Sequence, residues 1–268
     1  MSRKKRDIPV FSHPIVETHC HLDYLKDAEL SQILDEAKAV GIERIVTIAV
    51  EPDNLGRVRD LTEEHAMIFG TQGIHPHDAD HYTEATDAEL RQHGNDDKIV
   101  AIGEIGLDYH YDHSDRAKQR QVFADQLKIA CELNKPVVIH TRDADEDTQA
   151  ILADYVPHLK RKGVIHSFTS GIDLAQYCLE QGFMLGFNGI ITFNKAENVR
   201  EVLAATPIEQ LVVETDSPFL TPVPYRGQEN APKFLPFVIE KIADVKQLPV
   251  DQVLKQSYHN AQRLFGWA

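Results

Sequence analysis

The 268-residue sequence is short of positive charge and of cysteine. It has 28 lysines and arginines against 42 aspartates and glutamates, which gives a formal net charge of −14 at pH 7. This balance argues against broad, sequence-independent binding to nucleic acid, because such binding relies on a basic surface that displaces counterions from phosphates. The three cysteines, Cys20, Cys131 and Cys178, are far apart and form no CxxC pair. Neither a disulfide framework nor a cysteine zinc site is indicated, and a reducing cytoplasm is the expected location.

Long hydrophobic runs are also missing. No apolar stretch approaches the roughly 20 residues of a membrane-spanning helix, so we expect no association with a membrane. The chain opens with four basic residues, Arg3, Lys4, Lys5 and Arg6, and no apolar stretch of signal-peptide length follows them. We interpret residues 1–13 as a flexible basic tail. Residues 14–268 form one predicted domain, because no linker rich in serine, proline or glycine interrupts them.

The sequence does contain a repeated alternation of short apolar runs and helical patterns. Eight runs, several of them continuous rather than alternating, predict parallel strands buried on both faces, at residues 14–18, 44–49, 66–73, 99–103, 136–140, 163–167, 183–186 and 210–214. Helical patterns occupy residues 28–40, 116–133, 171–181, 194–205, 232–245 and 250–265. Eight strand–helix units predict an α/β fold, a single-domain (β/α)8 TIM barrel with C-terminal helices, for which about 250 residues is typical. An open doubly wound sheet is the alternative, but the sequence has no GxGxxG after its first strand and no GxxxxGK[ST].

Residues that commonly bind metal ions recur where the predicted strands end. His19 and His21 follow the first strand, and side chains two apart in an extended segment point the same way, so both imidazoles can reach one ion. Cys20 points the opposite way and is interpreted as a packed thiol. Four more such residues end later strands: Glu104, His140, His166 and Asp216. Because the carboxyl ends of barrel strands share one face, we expect all six on one rim. Four imidazoles and two carboxylates suffice for two divalent metal ions, and this mixed set favours zinc- or manganese-type ions over an all-oxygen cage.

Seven motifs carry a resemblance to a known family. They are THCHLD (18–23), GIHPH (73–77), GEIGLDYH (103–110), KPVVIHTRDA (135–144), HSFTS (166–170), ETDSPFL (214–220) and RGxxN (226–230). In this order and spacing, from about residue 19 to residue 265, the sequence resembles the TatD family of metal-dependent hydrolases, within the amidohydrolase superfamily. The resemblance implies a TatD-like barrel over residues 14–268.

The resemblance also implies which residues bind the metal ions. One ion is held by His19 and His21 with Asp216, the other by His140 and His166, and Glu104 bridges the two. The metals themselves, among Zn, Mn, Mg, Ni and Co, are not fixed by these residues. Glu17 stands where the family usually has aspartate, and we interpret it as a residue that supports the first pair of ligands.

Substrate contacts follow from the same resemblance. His75 and Arg142 are expected to contact a substrate phosphate, while Asp108, Tyr109 and Arg226 are expected to line the pocket. His77, in the loop that carries His75, is interpreted as a turn residue or as support for a ligand.

The expected activity is hydrolysis of phosphodiester bonds in single-stranded DNA, by a TatD-type deoxyribonuclease that trims from the 3′ end. Asp216 and Glu104 are the expected catalytic residues: Asp216 would orient the attacking water and accept its proton, and Arg142 would offer a fork to phosphate oxygens. A pocket that takes one strand end needs few phosphate contacts, which suits an acidic protein. Four aromatic residues of the loops after the strands, Tyr109, Phe168, Phe193 and Tyr225, are candidates for stacking on bases, and we expect one or two at most to do so.

Two other functions stay open. One is hydrolysis of a different bond, by a deacylase or esterase acting on aminoacyl-RNA or on another small ester or amide. Cyclic-amide hydrolases of the superfamily often use a modified lysine on the fourth strand, and Glu104 at this position weighs against them. The other is a non-catalytic, metal-bearing scaffold. No obligate protein partner is evident, and a monomer is expected.

Overall fold

Eight parallel strands form one sheet, in chain order, in the computed structural model, which describes residues 5–267. They are β1 (Ile15–Cys20), β2 (Ile42–Thr47), β3 (Ile68–Gln72), β4 (Ile99–Asp108), β5 (Val137–Arg142), β6 (Gly163–Ile165), β7 (Met184–Phe187) and β8 (Leu211–Val213). Strand β1 also contacts β8, so the sheet curves into a nearly closed barrel. The predicted (β/α)8 TIM barrel is confirmed.

Nine α-helices accompany the strands within residues 5–267. They are α1 (Leu30–Ala39), α2 (Leu55–Glu64), α3 (Glu84–His93), α4 (Arg116–Leu133), α5 (Asp145–Tyr155), α6 (Ile172–Glu180), α7 (Glu197–Ala205), α8 (Leu235–Lys246) and α9 (Val250–Phe265). The six helical patterns of the sequence do not cover α2, α3 or α5. Helix α3 buries only Thr86 and Leu90, and its start is fixed instead by Thr83, whose hydroxyl accepts from the Thr86 backbone N–H at 3.2 Å. None of these helices is long and apolar enough to cross a membrane.

The core lies on both faces of the strands, as the continuous apolar runs predicted. The larger cluster of buried side chains joins strands to helices, whereas a smaller one consists mainly of strand residues such as Val46, Val138, Val164 and Val212. Because this smaller cluster includes side chains from several strands and hardly any from helices, it fills the barrel interior. The end of α9 contributes Leu264 and Phe265 to it.

Strand β4 is longer than predicted, since it continues to Asp108 instead of ending at residue 103. Glu104 therefore lies inside the strand, at a register shift where Gly103 pairs with Val138 and Ile105 pairs with Ile139. A one-residue bulge of this kind re-aims a side chain. Gly103 is required there, because a Cβ on it would lie 2.6 Å from the Cβ of Val138. Strand β1 likewise extends past the predicted end and includes His19.

The predicted basic tail lies partly outside the described residues, which exclude Arg3 and Lys4. Residues 5–13 contain no helix or strand. Arg6 pairs with Glu240 of α8, and its guanidinium lies 4.9 Å from the ring centre of Phe237. This segment of the tail is therefore held against α8.

Candidate metal centre

Five strands bring the six predicted metal ligands together at the carboxyl end of the barrel. Four of the six side chains are buried, and those of His140 and Asp216 are partly exposed. Strand β1 supplies or precedes the two histidines of the HxH motif, β4 supplies the glutamate, β5 supplies His140, and the segments after β6 and β8 supply the rest. The convergence follows from the fold, since the ends of parallel barrel strands meet on one face.

Glu104 lies at the middle of this group. Its Oε1 is 2.8 Å from His166 Nε2 and 3.2 Å from His140 Nδ1, while its Oε2 is 3.4 Å from His19 Nε2. Burial would raise the pKa of this carboxyl, but the charge of His166 and hydrogen bonds with His140 and His166 hold the pKa well below its usual value. One oxygen thus faces each pair of histidines, which is the arrangement that a carboxylate shared by two ions requires.

Asp216 lies on the β1 side of the centre. Its Oδ1 is 3.5 Å from His21 Nε2 and 3.6 Å from His19 Nε2. The backbone N–H of Asp216 donates to the His19 carbonyl at 2.9 Å, which ties the segment after β8 to β1. Burial acts to raise the pKa of Asp216, but the hydrogen bond with His21 and the nearby histidines lower it, so the side chain is a carboxylate at neutral pH.

The nitrogen atoms of these histidines fit a metal site. In the part of the chain that the structure describes, His19 Nε2, the nitrogen that faces Glu104 and Asp216, is buried and has no hydrogen-bond partner. Buried polar atoms are nearly always partnered, so the isolation of this nitrogen indicates a missing ligand. Two ligand atoms held about 2.1 Å from one tetrahedral ion lie about 3.4 Å apart, which matches the 3.4 to 3.6 Å between His19 Nε2 and its two carboxylates. The residues therefore fit divalent metal ions.

His140 is oriented from behind by Asp108. Its Nε2 lies 3.0 Å from Asp108 Oδ2, which leaves Nδ1 facing Glu104. Asp108 Oδ2 also lies 3.0 Å from His77 Nε2, and the other oxygen of Asp108, Oδ1, accepts the Tyr111 backbone N–H at 2.8 Å. Burial acts to raise the pKa of Asp108, but these hydrogen bonds outweigh it and hold the pKa far below its usual value. Asp108 was expected to line the pocket. It is instead fully buried beneath the histidines, and His77 shares its support of His140.

Two further buried glutamates lie behind the stacked rings of His19 and His166, whose centroids are 3.8 Å apart. Glu214 Oε1 is 3.6 Å from His166 Nδ1 and accepts the Ser167 backbone N–H at 2.7 Å. Glu17 Oε1 accepts the backbone N–H groups of His19 at 3.1 Å and Thr215 at 2.9 Å. Glu17 therefore supports the end of β1 through its backbone. Sequence reasoning did not single out Glu214, although its place after the apolar residues of β8 was the available signal.

His75 differs from the other histidines of the centre. Its Nδ1 accepts the His77 backbone N–H at 3.1 Å, so in the neutral ring the proton is on Nε2, which lies 3.3 Å from Glu104 Oε1. Burial lowers the pKa of His75 to about 3, so the ring is neutral at pH 7. A nitrogen that carries a proton cannot bind a metal ion. Although His75, Glu104 and His140 lie close enough to hold an ion, we interpret His75 as a hydrogen-bond donor that points into the centre.

A cavity of about 1290 Å³ lies among the segments that follow strands β4 to β8, and none of the six predicted metal ligands lines it. Three of the predicted substrate residues line it, Tyr109, Arg142 and Arg226, together with Tyr111 and Lys195. Asp108 is not part of its wall. The wall of the cavity therefore carries three cationic side chains and four acidic ones, the latter being Asp143, Asp145, Glu146 and Asp147.

Comparison with known proteins assigns the chain to a family. The family described as "TatD related DNase" matches residues 16–266. The chain belongs to the TatD family. It is 38% identical over 252 residues to the metal-dependent hydrolase YabD of Bacillus subtilis (strain 168), and the match covers 94% of this chain and 98% of YabD. It is 36% identical over 255 residues to the metal-dependent hydrolase YcfH of Escherichia coli (strain K12), with 94% and 95% covered.

Solved structures agree with this membership. The crystal structure of YjjV, a TatD homologue from Escherichia coli K12, superposes with a TM-score of 0.89 at 28% identity, over 95% of this chain and 98% of YjjV. A TatD family hydrolase from Entamoeba histolytica shares the fold, with a TM-score of 0.83 at 19% identity over 94% of this chain and 98% of that one. The chain is thus a TatD-family metal-dependent hydrolase.

The four aromatic rings predicted to stack on bases are all engaged within this TatD-family barrel. Phe168 is buried, and Phe193 is covered by the Arg226 guanidinium at 4.0 Å from its centroid. Tyr109 donates its hydroxyl to Asp147, and its ring lies 4.4 Å from the Arg116 guanidinium. Tyr225 packs on two phenylalanine rings at 4.8 and 5.6 Å. All four rings therefore already pack on other side chains of the protein, and their stacking on bases stays a prediction.

Proposed function

We propose that this TatD-family hydrolase holds two divalent metal ions and cleaves phosphodiester bonds of single-stranded DNA from the 3′ end. The observation that carries the proposal is the position of Glu104, with one carboxylate oxygen toward His19 and the other toward His140 and His166. A shared carboxylate between two sets of imidazoles is typical of centres with two ions, which act on phosphate esters by holding both the attacking and the leaving oxygen.

The protein's own residues divide the remaining work. The chemistry that the ions supply when bound is acidification of water and polarisation of the ester. Asp216, a carboxylate at neutral pH, is the group available to orient the attacking water and accept its proton. Its left-handed backbone (φ 57°) and its bond to the His19 carbonyl fix the side chain toward the histidines.

Two donors suit a phosphate. The neutral ring of His75 directs Nε2–H toward the centre, where it can donate to a non-bridging oxygen without adding charge. Arg142, the last residue of β5, reaches the wall of the cavity and offers a planar fork that matches phosphate geometry. Arg142 and Arg226 are cations available to a phosphate in this cavity, whose wall also holds the carboxylates of residues 143, 145, 146 and 147.

The test is an assay of single-stranded DNA labelled at its 5′ end, with protein reconstituted with Mn²⁺. We expect a ladder of products shortened from the 3′ end, no cleavage with a chelator, and no cleavage by the Asp216→Asn variant. Labelling at the 3′ end would then release mononucleotides first.

Two outcomes would contradict the proposal. Cleavage that persists unchanged in Asp216→Asn would mean that another protein or another site is responsible. Turnover of aminoacyl-tRNA, with none of any DNA, would identify the chain as a deacylase.

A further inference from the structure

Large apolar side chains are rarely exposed in this protein. Within residues 5–267 the exposed ones are Val10, Tyr111, Ile172 and Phe219, and two of these four are aromatic. Both aromatic rings contact histidines of the metal centre or of its support. Exposing an aromatic ring gives up the free energy of burying it, so two such rings beside one site indicate a partner that covers them.

Phe219 lies on the β8 side of the centre. Its ring is 52% exposed and its centroid is 6.2 Å from that of His21, whose ring also stacks on Tyr24 at 5.4 Å. The Phe219 backbone is held on both sides: its N–H donates to the Asp216 carbonyl at 2.9 Å, and its carbonyl accepts from Asn230 Nδ2 at 2.5 Å. The ring is therefore exposed on a fixed backbone, next to the residue proposed to activate water.

Tyr111 lies on the β4 side. Its ring is 60% exposed, nearly parallel to that of His113 at 5.9 Å, and edge-on to that of His77 at 5.5 Å. Its backbone N–H donates to Asp108, the carboxylate that orients His140. Tyr111 thus has the same relation to one half of the centre as Phe219 has to the other.

The two rings stand on opposite sides of the barrel mouth. In a ring of eight strands in chain order, β4 and β8 are diametrically opposed, and Tyr111 follows β4 whereas Phe219 follows β8. The wall of the cavity described above includes Tyr111 and also Leu220, the neighbour of Phe219, but not Phe219 itself. A chain bound across the centre would meet one ring before its reacting group and one after it.

We propose that Tyr111 and Phe219 stack on the bases of the two nucleotides that flank the scissile phosphate. This inference rests on the proposed deoxyribonuclease function and adds how the strand is held. Stacking between an aromatic side chain and a base does not depend on sequence or on net positive charge. It therefore supplies affinity for single-stranded DNA that the acidic surface cannot supply through phosphate contacts.

The test measures kcat/KM of the Mn²⁺-loaded full-length protein on oligothymidylate and on the same strand with abasic sites at the two 3′-terminal positions. We expect Phe219→Ala and Tyr111→Ala each to lower kcat/KM on the intact strand by at least about fivefold, the effect of losing one stacked base. On the abasic strand the variants should match the unsubstituted protein. Phe219→Trp and Tyr111→Trp should retain activity, and Val10→Ala, which removes an exposed side chain elsewhere, is the matched control.

Each remaining outcome has a distinct meaning. Equal losses on intact and abasic strands would show that the rings support the fold or the centre, and would overturn the stacking role. Unchanged activity of both alanine variants on the intact strand would overturn it as well. If the unsubstituted protein cleaves no DNA at all, the proposed function itself fails. That result is read from the unsubstituted protein alone and is therefore distinct from failure of the stacking role. A further readout separates stacking from charge, because the slope of KM against salt concentration should be the same in Phe219→Ala as in the unsubstituted protein.

Discussion

The two sides of the metal centre are supported in different ways. On the β5 and β6 side, carboxylates lie behind the ligand rings: Asp108 is hydrogen-bonded to His140 at 3.0 Å, and Glu214 lies 3.6 Å from His166 Nδ1 as a charge contact without a hydrogen bond. On the β1 and β8 side, the Nδ1 atoms of His19 and His21 have no partner within residues 5–267, and the carboxylate of Asp216 faces the front of the rings. The β1 and β8 side thus gains negative charge from a predicted ligand, Asp216. The β5 and β6 side gains it from Asp108 and Glu214, which lie behind the predicted ligands.

This difference predicts two kinds of mutational effect. A carboxylate that would itself bind an ion should be needed for that ion to bind at all. A carboxylate behind a ring fixes the tautomer and raises the basicity of the nitrogen, and its loss typically weakens metal binding by about 10- to 100-fold.

The largest effect is expected from Glu104→Gln, because Glu104 faces both sides. We expect loss of both ions and of all hydrolysis, with the barrel still folded. Metal analysis after reconstitution measures the number of ions, and the circular dichroism spectrum shows whether the barrel is folded. Retention of two ions would contradict the shared role of Glu104.

Asp216→Asn should affect only the β1 and β8 side. We expect one ion to be retained per chain and activity to fall by at least about 100-fold, since both a ligand and the proton acceptor are lost. Metal titration by calorimetry gives the number of ions. A variant that loses both ions equally would show that the two sides are not independent.

Asp108→Asn should weaken the β5 and β6 side without abolishing it. We expect the affinity for one ion to fall by about 10- to 100-fold and activity to recover when the metal concentration is raised. The matched control is Asp112→Asn, which alters an exposed carboxylate of the same loop that pairs with Arg116. No change in affinity in Asp108→Asn would leave this carboxylate without the role assigned to it.

The smallest effect is expected in the metal-free protein and concerns Glu17, on the β1 side. Burial raises the pKa of Glu17 to about 8, despite its hydrogen bonds. Between the ordinary carboxyl pKa and about 8, Glu17 is protonated in the folded state and ionised in the unfolded state. The free energy of unfolding therefore falls as the pH rises through this range. We expect Glu17→Gln, which cannot lose the proton, to be more stable relative to the unsubstituted protein at pH 8 than at pH 5. Urea unfolding at the two pH values measures this, and a pH-independent difference would contradict it.

Much of the fold and of the centre could be predicted from the sequence. Continuous β-branched runs with helical patterns between them predicted the barrel, because strands buried on both faces need no alternation. The ends of the predicted strands gave the six residues that now lie together. The end of β4 was misplaced by five residues, because glycines on either side of Glu104 look like a strand end and in fact allow close approach to β5.

The types of the site residues and their order are written in the local chain, and the face on which they meet follows once parallel strands are assumed, because the ends of such strands share one face of a barrel. What each polar atom faces was set by tertiary contacts. The proton on His75, the position of Asp108 behind His140, the support from Glu214 and the exposure of Tyr111 and Phe219 all depend on contacts between segments far apart in the chain. Such contacts exist only once the barrel is closed, because side-chain burial and hydrogen bonding are set by neighbours from other strands.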